Sequence, residues 1–81
     1  MKLGVYSLKK VLFRGEATSV NCNTLNGEVT ILDNHEAMIS ILDKGTMTIL
    51  DKNGKEYYIP ISSGFLETRL NDTKLIVEEK Q

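Results

Sequence analysis

Thr46-Met47-Thr48-Ile49-Leu50-Asp51-Lys52-Asn53-Gly54-Lys55-Glu56-Tyr57-Tyr58-Ile59-Pro60-Ile61, TMTILDKNGKEYYIPI, is two strand-like runs on either side of a turn. In the first run Met47 and Ile49 alternate with Thr46 and Thr48, the period of two that puts apolar side chains on one face of a β-strand. Asn53-Gly54 readily supplies the positive φ of a tight hairpin. The second run is rich in aromatic and β-branched residues, and Pro60 places it at a sheet edge or a bulge, because proline cannot donate to a ladder.

The pattern extends outward in both directions. Turn signals recur at Asn26-Gly27, Asp33-Asn34, Asp43-Lys44-Gly45, Asn53-Gly54, Ser63-Gly64 and Asn71-Asp72. Gaps of about 8 to 12 residues are the spacing of an all-β sandwich or barrel. Strand composition fills the gaps at Lys2–Ser7, Val11–Glu16, Thr18–Cys22, Glu28–Leu32, Ala37–Leu42, Thr46–Leu50, Glu56–Ile61, Phe65–Leu70 and Lys74–Glu78. The expected fold is an all-β, flattened β-sandwich of about nine or ten short, mostly antiparallel strands. His35–Leu42 has a helix-like start at Asn34, but it is about two turns long and carries Ile39 and Ile41, so a strand is preferred.

The 81 residues make a single domain, 1–81, with a core that is feasible but thin. Ten basic residues are scattered among eleven acidic ones, for a formal charge of −1. That balance lacks the basic stripe of a nucleic-acid module. One cysteine, Cys22, excludes an intrachain disulfide. The N-terminus has no signal-peptide pattern, and no apolar run reaches the length of about 20 residues that crosses a bilayer. Association with a membrane would therefore pass through another protein.

Two strands are apolar on both parities. Met38 and Leu42 oppose Ile39 and Ile41, and Tyr57, Ile59 and Ile61 oppose Tyr58 and Pro60. A free sandwich shows water a polar outer face. Such strands are either covered by a partner or buried at a corner by their own chain.

Chemistry is hard to assemble from these residues. A zinc site needs several Cys or His ligands, and the chain has Cys22 and His35. Nothing in the sequence joins that pair to an orienting acid, and Glu28, Glu36, Glu78 and Glu79 form no catalytic signature. The glycines are spaced as turn residues and cradle no phosphate. No catalytic, metal or cofactor site is expected. Lys44 and Lys52 sit in turns, which raises a lipoyl- or biotinyl-type carrier as an alternative, along with a generic β-sandwich adaptor. Neither lysine has the flanking residues of those carriers.

The order of the motifs resembles one family closely. Ser7-Leu8-Lys9-Lys10-Val11-Leu12-Phe13-Arg14-Gly15-Glu16, Gly27-Glu28-Val29-Thr30-Ile31-Leu32-Asp33-Asn34-His35-Glu36-Ala37-Met38, Leu42-Asp43-Lys44-Gly45, Ile61-Ser62-Ser63-Gly64-Phe65-Leu66-Glu67 and Lys74-Leu75-Ile76-Val77 follow in one register. Together they are similar to the N-terminal β-sandwich domain of the epsilon subunit of F-type ATP synthase. The resemblance implies a noncatalytic rotor subunit, peripheral on the cytoplasmic face of a bacterial inner membrane, that binds the gamma subunit and the polar loops of the c-ring. It places Asn26, Gly27 and Glu28 at the c-ring, and His35, Met38, Ser40, Tyr58 and Pro60 at gamma. Asp33 and Glu36 stand where prolines are usual, Asn34 where glycine is usual, and Ser63 replaces the first glycine of a pair. The resemblance also leads to an expectation about the end of the chain. The sequence ends where many relatives continue into a helical hairpin, as either a naturally short epsilon or a truncated one, and inhibition of hydrolysis and nucleotide binding are expected to be absent.

Overall fold

The computed structural model describes residues Met1–Lys80. Seven strands follow one another: β1 (Lys2–Tyr6), β2 (Val11–Thr24), β3 (Gly27–Leu32), β4 (His35–Leu42), β5 (Gly45–Asp51), β6 (Glu56–Leu70) and β7 (Asp72–Glu79). All pairings are antiparallel except that of β1 with β7.

The two long strands turn the sheet into a sandwich. Val11–Glu16 of β2 pairs with β1, whereas the stretch from Ala17 onward pairs with β5 on one side and β3 on the other. Likewise Glu56–Ile61 of β6 pairs with β5, and Gly64–Leu70 lies between β4 and β7. One layer is therefore β4–β6–β7–β1–β2, the other β3–β2–β5–β6, with β2 and β6 shared. Each shared strand shifts register where it changes layer, between Ala17 and Ser19 and between Ile61 and Ser63. The extra residue inverts the side-chain parity. Ala17 is buried but so are Val20 and Cys22, and Ile61 is buried but so are Leu66 and Thr68.

This corrects the expected strand number. The nine sequence segments are present, but two pairs of them are continuous. Ser63-Gly64 lies in regular pairing within continuous β6, just after the register shift, rather than in a turn. Gly64 is required there by close packing: a Cβ at this position would lie 2.9 Å from the Ile76 carbonyl oxygen and 3.0 Å from Leu42 Cδ1.

The core lies between the layers and is built from the inward parity of each strand, with Leu3, Val5, Val20, Ile31, Met47, Ile49, Leu66 and Leu75 fully buried. Each such side chain contributes roughly 1.5–3 kcal/mol. Two core threonines satisfy each other, Thr68 Oγ1 and Thr73 Oγ1 being 2.6 Å apart. Among the described residues no buried side-chain polar atom lacks a partner. The Asn-Gly turn forms as the sequence suggests. Gly54 takes φ +85°, and Asp51 Oδ1 accepts from the backbone N–H groups of Asn53 (2.8 Å) and Lys55 (2.9 Å). Those bonds hold the Asp51 carboxyl below its usual range, the Lys55 N–H contributing most.

Candidate partner-binding surfaces

The two outer faces of the sandwich differ in chemistry. On the β3–β2–β5–β6 layer the outward positions are mostly short and polar: Asn21 pairs with Thr30 on β3 and Thr48 on β5, and Thr48 pairs with Tyr58 on β6. Asn21 Nδ2 donates to Thr30 Oγ1 at 2.8 Å, closing a polar patch. Tyr58 projects from this face, and its hydroxyl donates to Glu56 Oε2 at 2.9 Å, which raises its pKa.

The five-strand layer carries an apolar row instead. In register across it lie Ile41 of β4, Phe65 of β6, Ile76 of β7, Tyr6 of β1 and Val11 of β2. Cross-strand neighbours on one face are in side-chain contact range, and at Tyr6 the ring leans from the row over Gly4. Ile39 extends it along β4. Ile39 and Ile41 are 65% and 57% exposed, and Phe65, Ile76 and Val11 are 43–50% exposed. Their partners at the other parity, Met38, Leu42, Leu66, Leu75 and Val77, pack into the core. The outer side of β4 is thus exposed and is not buried at a corner by its own chain. The next row down is charged and nearly neutral, with Glu67, Lys74 and Arg14 in register around Gly4.

At one end of the sandwich the β2–β3 hairpin meets the β4–β5 turn. Leu25 N–H donates to the Ile41 carbonyl (3.1 Å) and Asp43 N–H to the Asn23 carbonyl (2.9 Å). Thr24 braces the tip, accepting from Asn26 N–H at 3.1 Å and donating to the Gly27 carbonyl at 2.7 Å. Asn26, Gly27 and Glu28 are all exposed on this rigid tip, beside Asp43 and Lys44.

The remaining sequence candidates divide between two places. His35, Met38 and Ser40 lie on β4, whose second edge is paired only through Thr24 and Leu42. Met38 points inward against the core. Tyr58 and Pro60 lie on the other layer and project outward from it, so the structure does not bring them onto the face of Ile39 and Ile41. Pro60 sits at an edge, with β5 on one side and a single bond from Lys80 N–H on the other. The acidic corner is structural: Asp33 accepts from the Met1 ammonium, Asn34 takes φ +63°, and its N–H donates to Asn71 Oδ1 at 2.9 Å. His35 Nδ1 lies 2.8 Å from the Glu36 carbonyl oxygen. Cys22 is buried, and burial pushes its thiol up to about 11, away from nucleophilic use. Phe65, Ile76, Tyr6 and Val11 were not among the sequence candidates. Apolar neighbours at adjacent positions, Phe65-Leu66 and Leu75-Ile76-Val77, were the available signal.

Among the described residues no cluster of three or more His, Cys, Asp or Glu is placed to hold a metal, and no helix is long and apolar enough to cross a membrane.

Residues 1–80 match the family described as the β-sandwich domain of the ATP synthase delta/epsilon chain. The chain is 30% identical over 78 residues to an ATP synthase epsilon chain of Clostridium kluyveri, covering 96% of this chain and 59% of that one. It is 30% identical over 77 residues to the epsilon chain of Clostridium novyi, again spanning 59% of the relative's length. Among solved structures, a chain of the Euglena gracilis mitochondrial ATP synthase superposes with a TM-score of 0.90 at 21% identity. That match covers 98% of this chain and 51% of the other. A chain from the Tetrahymena thermophila mitochondrial ATP synthase central stalk and c-ring gives 0.83 at 15% identity, covering 98% and 63%. At those identities the two structures speak for the fold.

Proposed function

The chain belongs to the ATP synthase delta/epsilon-chain β-sandwich family, and from that premise we propose that it is a noncatalytic subunit of the central stalk of a proton-translocating F-type ATP synthase. It binds the gamma subunit and the c-ring, and passes rotation between proton transport and ATP synthesis. No bond is made or broken on it, and it uses no cofactor. It sits at the cytoplasmic face of the membrane and is held there by its partners. The family match leaves nothing in favour of the carrier or adaptor alternatives.

The observation that carries this reading is the uncovered row Ile41–Phe65–Ile76–Tyr6–Val11. A contiguous apolar strip across five strands of an 81-residue protein is a surface in want of a cover. Gamma covers it, and the free edge of β4 with His35, Met38 and Ser40 borders the contact. Tyr58 and Pro60 join only if gamma wraps around to the opposite layer. The braced tip at Asn26, Gly27 and Glu28 meets the polar loops of the c-ring.

Co-expression with the gamma subunit of the same organism tests the assignment. A complex that survives size exclusion at micromolar concentration is expected, and Phe65→Asp should weaken it by about tenfold or more. Separate elution of the wild-type proteins would refute gamma binding. Glu28→Lys should impair proton-coupled ATP synthesis while leaving the gamma complex intact. The reverse ranking would exchange the two surfaces.

A further inference from the structure

One register step from the apolar row, the same face holds a depression beside Gly4, a position with no side chain of its own. Gly4 on β1 pairs with Arg14 on β2 and with Lys74 on β7, so two cations flank a position without a Cβ. Strand spacing of about 4.8 Å puts their backbones roughly 10 Å apart. Tyr6 folds back over this gap: a Cβ on Gly4 would clash with its ring and hydroxyl. The phenol hydroxyl therefore sits above Gly4, between Arg14 and Lys74. The depression is about 430 Å³ and is lined by Lys2, Tyr6, Arg14, Gly15 and Lys74, and also by the acids Glu16 and Asp72.

Its cations are uncommitted. The ion pairs among the described residues join the Met1 ammonium to Glu16 and Asp33, and Lys10 to Glu79. Arg14 and Lys74 take part in none of them. The acids of this face are accounted for one by one. Glu67 neighbours Lys74 without pairing with it. Asp72 and Glu16 line the same depression at its Lys2 end, in register on either side of that lysine, and Glu16 lies 3.6 Å from the Met1 ammonium.

We infer that this depression receives a carboxylate side chain of the protein that covers the apolar row, held by Arg14, Lys74 and the Tyr6 hydroxyl. The inference rests on the docking reading above and names the chemistry of the partner's contact. A guanidinium, an ammonium and a phenol lining one depression suit an anion. The backbone N–H groups around Gly4 are engaged in the ladders to β2 and β7, so no backbone nest is available to wrap a free phosphate. A carboxylate attached to a surface already seated on Ile41, Phe65 and Ile76 is delivered without that need. The partner's contact strip is therefore apolar with an acid about two strand residues to its side.

The test uses the full chain and its gamma subunit, with dissociation measured at about 50 and 300 mM salt. Arg14→Gln combined with Lys74→Gln should weaken binding by about tenfold or more at low salt, chiefly through faster dissociation, and should flatten the salt dependence. Both residues are exposed, and an unchanged thermal midpoint will show that the variant is folded. Arg14→Glu with Lys74→Glu should weaken binding further and be rescued by one acid-to-lysine change in gamma. If the Gln pair binds as wild type while Phe65→Asp does not, the face stands and the carboxylate anchor is wrong. If neither variant affects binding, the docking reading fails as well. Calorimetric titration of the free chain with inorganic phosphate and ATP should show no binding at millimolar concentration. Binding that the Gln pair abolishes would overturn the proposal in favour of a free anion.

Discussion

Gly64→Ala tests the account of how β6 crosses between layers. Gly64 pairs with Leu42 on β4 and Val77 on β7, so its backbone is held from both sides. Its φ is not positive, and alanine could adopt the backbone conformation without strain. The penalty is purely spatial. The added methyl would meet the Ile76 carbonyl oxygen at 2.9 Å and both Leu42 Cδ1 and Val77 Cγ1 at 3.0 Å. Leu42 and Val77 are themselves buried and have little room to retreat, and the Ile76 carbonyl belongs to a strand backbone. Overpacking of this kind costs about 1–3 kcal/mol. Loss of glycine's freedom in the unfolded chain returns about 0.4–1 kcal/mol. The net expectation is a loss of about 1–2 kcal/mol, which for a domain of this size lowers the thermal midpoint by roughly 4–15 °C. Thermal and urea unfolding followed by far-UV circular dichroism would measure it, with the exposed neighbour Ser63→Ala as a control expected within about 0.5 kcal/mol of wild type. An unchanged or raised midpoint for Gly64→Ala would refute the crossing geometry.

Other substitutions probe separate parts of the fold. Leu70 takes φ +51° in the two-residue loop between Arg69 and Asp72. A left-handed conformation costs an L-residue about 1–2 kcal/mol, so Leu70→Gly should raise stability by about 0.5–1 kcal/mol after glycine's entropic cost of about 0.5–1 kcal/mol, and a lowered midpoint would contradict this. Cys22 should resist iodoacetamide at pH 8 in the folded chain and react on unfolding in urea, as mass spectrometry would report. Asp51 has a lowered carboxyl pKa, so the stability it contributes is complete above the ordinary carboxylate value of about 4 and lost as pH falls below it. Asp51→Asn should therefore reduce the difference in thermal midpoint between pH 6 and pH 3. A variant with the wild-type pH profile would remove the carboxylate from that account.

The strand segments were legible because a half-buried strand writes its burial into period two. Met47 and Ile49 are buried and Thr46 is exposed, as their alternation suggests. Ile39 and Ile41 broke the rule for an outer face, and they are the residues the structure leaves uncovered. Ser63-Gly64 misled because a turn and a tightly packed strand position both favour glycine. The strand needs it here for space, which depends on Ile76 and Leu42, remote in sequence.

By itself the amino-acid sequence determined the all-β class, the segments that become strands and the family, since turn chemistry, alternation and motif order are local. Only tertiary structure decided which residues share a face. Ile41, Phe65, Ile76, Tyr6 and Val11 are scattered through 71 positions of chain, and register alone aligns them. Pairing register is fixed by long-range hydrogen bonding and core packing. The apolar row, and the gap between Arg14 and Lys74 beside it, therefore exist only once the strands have come together.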